Sequence, residues 1–491
     1  MKPTITETIR YIGVDDKDID LFESQYIVPN GISYNSYLID DEKIAIMDTV
    51  DLRKSEDWWK NLEEALQGRT PDYLVVHHME PDHAGVIAEV LDKYPQLQIV
   101  ASARAIQMLP LFFEGTEFEG RTIAVKEGDT LSLGKHTLQF FMAPMVHWPE
   151  VMVSYDQADK VVFSADGFGK FGALSHEEDW ACEARRYYFN ICGKYGVQVQ
   201  ALLKKLATLD VTCICPLHGP ILKENLGYYI GLYDTWSKYE VETEGVFIAY
   251  ASIHGGTAKA AHKMKEILLA KGAPKVSIAD LSRDDMAEAV EDAFRMGKLI
   301  VAASSYDANV FPPMYDFLHH LQLKNYQKRR VGIIENGSWA PCAGRIMTEM
   351  LEKMKEIEIV GPMVTIRARM KQTDLPAMEA LADAIKATLE FAGFNVVLSG
   401  SYDGWNPNME SPILKAMLSS YEALYGKRPA VTAIHAGLEC GIIGSNYPGL
   451  DMISFGPTIC YPHSPDEKVE IASVEKFYDF LLHTLANAPK K

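Results

Sequence analysis

A dense run of metal-ligating side chains, His-Met-Glu-Pro-Asp-His, occupies residues 78–83 and follows the apolar run Tyr73–Val76. A short apolar run of this kind is typical of a buried strand, and a helix is expected to begin at Ala84. Four potential ligands on one strand-to-helix loop can converge on a point, whereas ligands spread round a helix cannot. The run therefore predicts a metal-binding loop at the edge of a sheet.

Three further candidates follow later apolar runs: His147 after LQFFMAPMV, Asp166 after VVFSA and His218 after VTCIC. If each run is a strand, these side chains can gather with the first loop along one sheet edge. The candidate ligands are His78, Glu80, Asp82, His83, His147, Asp166 and His218. Four imidazoles and three carboxylates suffice for two metal ions that share Asp166 as a bridge. Mixed nitrogen and oxygen ligation without thiolate suits iron, manganese or zinc.

The pattern resembles the metallo-β-lactamase fold, whose zinc hydrolases carry His-x-His-x-Asp-His in this loop. Glu80 stands in place of the second histidine, and its carboxylate adds negative charge and a hard oxygen that favour iron. His-x-Glu-x-Asp-His is similar to the flavodiiron version of the loop. Residues 26–37, 147–150 and 164–169 are also similar to segments of that family.

The resemblance covers about residues 1–390 and implies how the ligands are shared. One iron would take His78, Glu80 and His147, the other would take Asp82, His83 and His218, and Asp166 would bridge them. Tyr26 resembles a residue near the open face of the site, where a catalytic role and simple aromatic packing both stay open. His77 is in line with the strand and is expected to be structural.

A second site is predicted from three loops that follow strand-like runs in residues 245–390. The loop residues are Ser252, Ile253, His254, Gly255, Gly256 and Thr257; Ser304, Ser305, Tyr306, Asp307, Ala308 and Asn309; and Asn336, Gly337, Ser338, Trp339 and Ala340. Small polar loops that open helices present backbone N–H groups to phosphate. In doubly wound folds such loops bind ligands at one edge of the sheet. The block resembles a flavodoxin domain, which implies FMN between Tyr306 and Trp339.

The predicted fold is α/β, in three parts. A metallo-β-lactamase-like αββα domain over 1–243 precedes a flavodoxin-like doubly wound parallel sheet over 245–390. An extra partial α/β segment follows over 391–491. Its sequence resembles the end of an M20 aminoacyl-histidine dipeptidase, in which the histidine at the position of His463 binds zinc. A single histidine cannot hold a catalytic zinc, so no peptidase activity is expected.

Composition narrows the possible partners and the compartment. The net charge of −19 disfavours nucleic acid and anionic membranes. The chain contains no apolar run long enough to span a bilayer, and the polar N-terminus is not expected to be a signal peptide. Seven scattered cysteines without a Cys-x-x-Cys pair indicate reduced thiols in a cytoplasm and exclude a fused rubredoxin module.

The function implied by the resemblance is an oxidoreductase with two iron ions and FMN that reduces dioxygen to water, nitric oxide to nitrous oxide, or both. The same resemblance implies a head-to-tail homodimer or a dimer of dimers, and an external electron donor such as rubredoxin or a flavin reductase. Two alternatives stay open from the residues themselves. They are a zinc hydrolase of the β-lactamase fold and a non-catalytic flavin-binding electron carrier.

Overall fold

A computed structural model describes residues 3–176, 178–386, 408, 410–432, 443, 447, 450–460 and 467–488. The chain divides into two compact units, Met1–Phe391 and Ala392–Lys491, and each is described by itself.

The strands and helices of the described residues are numbered in chain order. The strands are β1 (Ile9–Tyr11), β2 (Val14–Asp16), β3 (Leu21–Phe22), β4 (Tyr26–Ile27), β5 (Ile32–Tyr34), β6 (Tyr37–Ile39), β7 (Ala45–Met47), β8 (Tyr73–Val76), β9 (Gln98–Ser102), β10 (Thr122–Val125), β11 (Thr130–Ser132), β12 (Thr137–Met142), β13 (Met152–Asp156), β14 (Val161–Phe163), β15 (Cys213–Cys215), β16 (Thr243–Ala251), β17 (Val276–Asp280), β18 (Met296–Tyr306), β19 (Asn309–Val310), β20 (Arg329–Asn336), β21 (Ile357–Ile359), β22 (Val364–Ile366), β23 (Ile459–Cys460) and β24 (Lys468–Val469). The helices are α1 (Ser55–Leu66), α2 (Pro81–Ala84), α3 (Ile87–Lys93), α4 (Ala103–Phe112), α5 (Trp180–Ile191), α6 (Gly196–Leu206), α7 (Leu226–Ser237), α8 (Gly256–Ala270), α9 (Met286–Arg295), α10 (Pro312–Leu323), α11 (Ala343–Leu351), α12 (Leu375–Lys386), α13 (Pro412–Tyr425) and α14 (Ile471–Ala486).

Two packed sheets form the first part of the larger unit. One has the strand order β1-β6-β7-β8-β9-β10 and the other the order β11-β12-β13-β14-β15. Side chains from both sheets, such as Val75 and Phe163, share the core between them. Helix residues such as Trp58 of α1 and Tyr188 of α5 belong to the cores on the two outer faces. This is the αββα arrangement expected from the sequence.

A third sheet follows in the same unit, with the order β17-β16-β18-β20-β21 and parallel pairing throughout. Numbered within the sheet, this is the 2-1-3-4-5 order of flavodoxin-like folds. Alternate residues of β16 face opposite cores: Ile248 packs with residues of α8 and α12, and Phe247 with residues of α9, α10 and α11. The predicted doubly wound parallel sheet is therefore confirmed.

The two parts of the larger unit meet along α5 and α9. Phe189 stacks on Phe294 with ring centroids 4.3 Å apart. Beside this stack, Arg185 donates to Glu291, and Arg186 donates to Asp285, at 2.5 Å each. Paired charges at this depth require mutual hydrogen bonds, because a buried charge without a partner is costly.

In the smaller unit the described residues form α13, α14 and a two-stranded ribbon of β23 and β24. Tyr421 of α13 contacts Phe480 of α14 edge to face, with ring centroids 5.2 Å apart. His463, the residue singled out by the peptidase resemblance, lies outside the described residues. Across both units, none of the described helices is both long and apolar enough to cross a membrane.

Candidate metal and flavin sites

The loop predicted to bind metal follows β8, the middle strand of a parallel set. All four residues of β8 are buried, as expected for a strand covered on both faces. The chain leaves the sheet after Val76, and α2 begins at Pro81, a residue that suits the first turn of a helix. His78 and His83 are thereby carried into the interior, where they are 0% and 1% exposed.

One group of four side chains converges around His78. The Nε2 atom of His78 lies 3.1 Å from Glu80 Oε2, 3.3 Å from His147 Nε2 and 3.3 Å from Asp166 Oδ2. The Nε2 atom of His147 lies 3.0 Å from Glu80 Oε2 and 3.2 Å from Asp166 Oδ2. Four donor atoms from three separate loops therefore surround one point.

A second group forms beside it. The Nε2 atoms of His83 and His218 are 3.1 Å apart, and both lie within 3.3 Å of Asp82 Oδ2. Asp166 faces this group with its other oxygen, Oδ1, at 3.2 Å from His83 and 3.7 Å from His218. Asp166 thus presents one carboxylate oxygen to each group, which is the geometry of a bridging ligand.

The donor set fits a pair of metal ions. Bonds of about 2.1 Å place neighbouring ligand atoms about 3.0 Å apart in an octahedron and about 3.4 Å apart in a tetrahedron. Nearly all the distances above fall in or near that interval. Both oxygens of Asp82 and of Asp166 are buried without a hydrogen-bond partner among the described residues. Buried carboxylates in that condition are stabilised by a nearby cation.

Charge coupling within the groups is strong. Burial lowers the pKa of His147, but the nearby Asp166 and Glu80 carboxylates outweigh it and raise the pKa to about 9. Burial likewise opposes the raised pKa of His78, which the Asp166 carboxylate and hydrogen bonds to Glu150 and Glu80 produce. The same imidazoles hold the pKa of Asp166 well below its usual range. A metal ion that binds these imidazoles competes with protons for their ring nitrogens.

Hydrogen bonds outside the two groups orient the imidazoles. His78 donates from Nδ1 to Glu150 Oε1 at 2.8 Å, and His218 donates from Nδ1 to the Ser33 carbonyl at 2.7 Å. Each bond fixes the tautomer that leaves Nε2 free for a metal. His77 has both ring nitrogens engaged, by Asp48 Oδ2 at 2.5 Å and Ser154 Oγ at 2.7 Å, as a structural residue does.

His147 differs from the expectation that it directly follows a strand. Strand β12 ends at Met142, and His147 lies within the connection to β13. Near it Met145 adopts a positive φ of 65°, and Ala165, which precedes Asp166, adopts one of 50°. Non-glycine residues in this region are strained and occur often at functional sites.

Tyr26, predicted as a catalytic candidate, is 6% exposed and packs on Phe171 with ring centroids 5.8 Å apart. Its hydroxyl donates to the carbonyl of Asn190 at 3.1 Å and accepts from Lys324 Nζ at 3.5 Å. Burial raises the pKa of Tyr26 above its usual value, so the phenol is neutral. These contacts place it at the junction with α10 and do not join it to the seven converging side chains.

The three loops predicted to bind flavin lie at the carboxyl ends of β16, β18 and β20, which are neighbours in the sheet. The Oγ1 atom of Thr257 lies 2.8 Å from Ser304 Oγ, and Asn336 Nδ2 donates to Thr257 Oγ1 at 3.3 Å. One residue from each loop thus takes part in a single hydrogen-bonded chain. Ser305 is not part of this chain; its hydroxyl accepts from the backbone N–H groups of Cys342 and Ala343 at the start of α11.

The same edge combines a phosphate cradle with exposed rings. Gly255, with φ of +79°, and Gly256 open the 15-residue helix α8. Ser252 Oγ is buried without a partner among the described residues. Trp339 is 89% exposed and Tyr306 45% exposed, so neither ring is in the core. Exposed aromatic rings beside a helix N-terminus are suited to a flat aromatic ligand that carries phosphate.

Sequence reasoning missed several residues of the metal site. Glu150 was noted only as part of a similar segment, and Ser33 was not singled out. No local spacing marks Glu150, because the histidine that it orients, His78, lies 72 residues earlier in the chain. Ser33 contributes a backbone carbonyl, for which no residue type is diagnostic.

Comparison with known proteins gives a consistent result. Residues 32–219 match the family described as ODP family beta lactamase. The nitric oxide reductase of Moorella thermoacetica is 29% identical over 399 residues, which cover 78% of this chain and 98% of that protein. The anaerobic nitric oxide reductase flavorubredoxin of Aliivibrio fischeri is 28% identical over 352 residues, 68% of this chain and 69% of that protein.

Among solved structures, the rubredoxin oxygen:oxidoreductase of Desulfovibrio gigas superposes with a TM-score of 0.75. It is 24% identical and covers 80% of this chain and 99% of its own. The β-lactamase-like and flavodoxin-like parts therefore share the fold of that structure. Residues 32–219 match the ODP family beta lactamase, and the longer stretch that the comparisons cover is similar to nitric oxide reductases and flavorubredoxins.

Proposed function

We propose that this chain is an oxidoreductase that reduces dioxygen to water, nitric oxide to nitrous oxide, or both, using an iron pair and FMN. The observation that carries the proposal is the convergence of seven side chains into two groups, with one oxygen of Asp166 facing each. The relatives named nitric oxide reductase and flavorubredoxin support nitric oxide as a substrate. Dioxygen is the substrate that the family resemblance adds.

In this proposal each iron receives four protein atoms. The first would be held by His78, Glu80, His147 and Asp166, and the second by Asp82, His83, His218 and Asp166. An octahedral ion bound by four such atoms keeps positions free for a small substrate. When bound, the iron pair supplies two electrons and the reduced flavin two more, which matches the four that dioxygen requires.

The protein around the iron site excludes water and fixes the ligands. The rings of Phe22 and Tyr187 lie 5.3 and 5.5 Å from the His218 ring, and the ring of Trp148 lies 5.1 Å from that of His78. In such an apolar shell the carboxylates interact strongly with bound cations. The negative charge of three carboxylates and their hard oxygens favour iron over softer metals.

The flavin is proposed to lie at the carboxyl edge of the third sheet. Backbone N–H groups at the start of α8 and the hydroxyls of Ser252 and Thr257 would hold its phosphate. Trp339 and Tyr306 would flank the ring system. A head-to-tail dimer, as the resemblance implies, would bring the flavin of one subunit to the irons of the other.

Three further elements of the proposal concern context. Electrons come from an external donor, such as rubredoxin or a flavin reductase, and the relative called flavorubredoxin is consistent with a rubredoxin partner. The chain works in the cytoplasm, which its free cysteines support. Residues 1–243 and 245–390 act as separate domains, which their separate sheets support, and residues 391–491 form a third.

The test is metal and flavin quantitation on purified protein, followed by oxygen and nitric oxide electrode traces with the chemically reduced protein. We expect two irons and one FMN per chain and consumption of at least one of the two gases. A single zinc with hydrolytic activity would replace the proposal by a hydrolase. Bound FMN without gas consumption would replace it by an electron carrier.

A further inference from the structure

The loop that carries His218 is held by a template in and just after β5, a strand that pairs with β2. This template consists of Ser33 and Asn35, and the loop is residues 216–219. Asn35 is 0% exposed, and its amide nitrogen donates to the carbonyls of Pro216 and Gly219 at 2.8 Å each. Its backbone N–H donates to Leu217 O, also at 2.8 Å. One asparagine therefore binds three carbonyls within four successive loop residues.

The orientation of the Asn35 amide is fixed by its neighbours. Tyr11 donates from its hydroxyl to Asn35 Oδ1 at 2.9 Å, so the oxygen of the amide faces a donor. The nitrogen then faces two acceptors, the carbonyls of Pro216 and Gly219. No other placement of the amide satisfies all three partners. Tyr37 adds a further hydrogen bond from its hydroxyl to Pro216 O.

Ser33 completes the template. Its carbonyl accepts from His218 Nδ1 at 2.7 Å, and its hydroxyl accepts from the backbone N–H of Gly219 at 2.8 Å. The imidazole of His218 is thus bound at Nδ1, and the backbone on both sides of it is bound by Asn35. What remains free is Nε2, which points at His83 and Asp82.

The other ligand histidines are held differently. His78 is oriented by the Glu150 side chain, and the carbonyl of His83 accepts from the backbone N–H and the hydroxyl of Thr49 at 2.8 Å each, while His83 Nδ1 is buried without a partner. Loss of the Asn35 side chain would free two carbonyls of the loop that carries His218, so the second metal group is the one that this template serves. Displacing a ligand by a fraction of an ångström is enough to weaken a metal site.

We infer that Asn35 is a positioning residue for the second metal of the pair, acting through the loop of residues 216–219 on His218. The inference rests on the proposed iron centre and adds to it an asymmetry between the two metal positions. Removing the Asn35 donors should release the loop and lower iron affinity at the position of Asp82, His83 and His218. The position of His78, Glu80 and His147 should keep its iron.

Three variants separate positioning from general stability. Asn35→Asp keeps the acceptor for Tyr11 and removes both donors to the loop, while Asn35→Ala removes the whole amide. Asn61→Ala is the matched control, because Asn61 also bridges two backbone carbonyls, Gly13 O at 2.9 Å and Ile12 O at 3.4 Å, and neither belongs to a ligand loop. If Asn35→Ala fails to fold, Tyr11→Phe tests the same chain of hydrogen bonds more gently.

The readouts are iron per chain after graded chelation, the electron paramagnetic resonance spectrum of the oxidised protein, and the unfolding temperature. In the Asn35 variants we expect the second iron to bind about 10- to 100-fold more weakly. About one iron per chain should remain, with the signal of an isolated ferric ion in place of a coupled pair. Asn61→Ala should keep two irons at a comparable loss of unfolding temperature.

Two outcomes overturn the inference. Asn35→Asp that keeps two irons and a coupled spectrum shows that the loop needs no such template. Equal loss of both irons shows a general structural role. A wild-type chain without an iron pair would overturn the proposed function as well, so failure of the inference alone is recognised by a normal pair in the wild type.

Discussion

Two clusters of histidine and aspartate in the larger unit have similar composition but differ in how many of their polar atoms have hydrogen-bond partners. In one, His136 binds Asp156 Oδ2 through Nδ1 at 3.0 Å and the Thr8 hydroxyl through Nε2 at 2.9 Å. The Thr8 hydroxyl also donates to Asp159. In the other, around Asp166, ring nitrogens face one another and face carboxylates whose oxygens have no hydrogen-bond partner among the described residues.

The difference lies in what each cluster still needs. Both ring nitrogens of His136 have hydrogen-bond partners, so the cluster is complete as a structural element, although Asp156 Oδ1 has no partner. In the other cluster the four carboxylate oxygens of Asp82 and Asp166 have no hydrogen-bond partner among the described residues, and four imidazole Nε2 atoms converge on them. Unpartnered atoms do not identify a site by themselves, since Trp180 Nε1 and Tyr326 Oη are also buried without partners. Convergence of such atoms does.

Replacement of Asp166 by alanine gives the strongest test of this comparison. Because Asp166 faces both metal groups, we expect loss of both irons and a fall in gas consumption of more than about a hundredfold, beyond the effect of losing an outer contact. FMN content should stay near one per chain. Iron analysis, flavin absorbance and an oxygen electrode measure the three quantities.

Asp156→Ala is the matched control, because Asp156 is equally buried and belongs to the complete cluster. It should lower stability and leave two irons in place. If Asp156→Ala loses iron as Asp166→Ala does, the two clusters do not differ in the way their hydrogen bonds indicate.

The sequence predicted the converging residues of this centre but not the residues that orient them. The ligand loop could be found because its four candidates stand within six positions after an apolar run. Glu150 lies 72 residues from His78, and Asn35 lies 181 residues from Pro216. Such contacts follow from how the two sheets pack, and no local spacing encodes them. The backbone carbonyl of Ser33 has no sequence signature at all.

Some elements of the fold were also predicted correctly from the sequence, whereas others were not. Buried strands followed by amphipathic helices led directly to the parallel third sheet, because each strand there is covered on both faces. The end of β12 was misplaced, because the apolar residues after Met142 belong to the connection that carries His147. For the C-terminal segment, the expectation that His463 holds no catalytic zinc stays a prediction, because this residue lies outside the described ones.

Glu150 offers the next largest effect. Its carboxylate accepts from His78 Nδ1 and from the backbone N–H of Met79 at 3.0 Å. Glu150→Ala leaves both donors unpaired and lets the imidazole turn. We expect about a 10- to 100-fold loss of iron affinity at the position of His78, with the other position kept, as read by graded chelation.

Glu150→Gln serves as the control, because an amide oxygen can still accept both hydrogen bonds. It should recover most of the affinity. Glu150→Ala should lose iron first at the position of His78, and the Asn35 variants should lose it first at the position of His218. The two sets of variants would thus identify one orienting contact for each metal. Loss at the same position in both sets of variants would contradict the assignment of ligands.

A smaller effect is expected at the predicted flavin site, where unpartnered hydroxyls inside and outside a binding loop can be compared. Ser252 and Ser277 both have buried hydroxyls without a partner, but only Ser252 lies in a loop predicted to bind FMN. Ser252→Ala should remove one hydrogen bond of about 0.5–1.5 kcal/mol to the phosphate, a two- to twelvefold weaker binding of FMN. Titration of the apoprotein with FMN measures it, and Ser277→Ala should leave the affinity unchanged.

The smallest effect is expected from His136, whose role is electrostatic and local. The hydrogen bond to Asp156 is the largest cause that raises the pKa of His136 in the folded protein, and burial opposes it. A raised pKa means that the folded state binds the proton more tightly than the unfolded state, in which histidine titrates near about 6.5. The stabilisation is therefore complete below that pH and disappears as the pH rises through the folded value.

His136→Gln should accordingly lower the free energy of unfolding more at low pH than at high pH, with two irons bound throughout. Denaturant titrations of the wild type and the variant over this range measure the difference. The titration of the metal ligands affects both proteins alike, so it cancels in that difference. An equal gap at every pH would mean that His136 stabilises as a neutral ring, whereas a loss of iron would mean that the cluster taken here as structurally complete contributes to the metal centre.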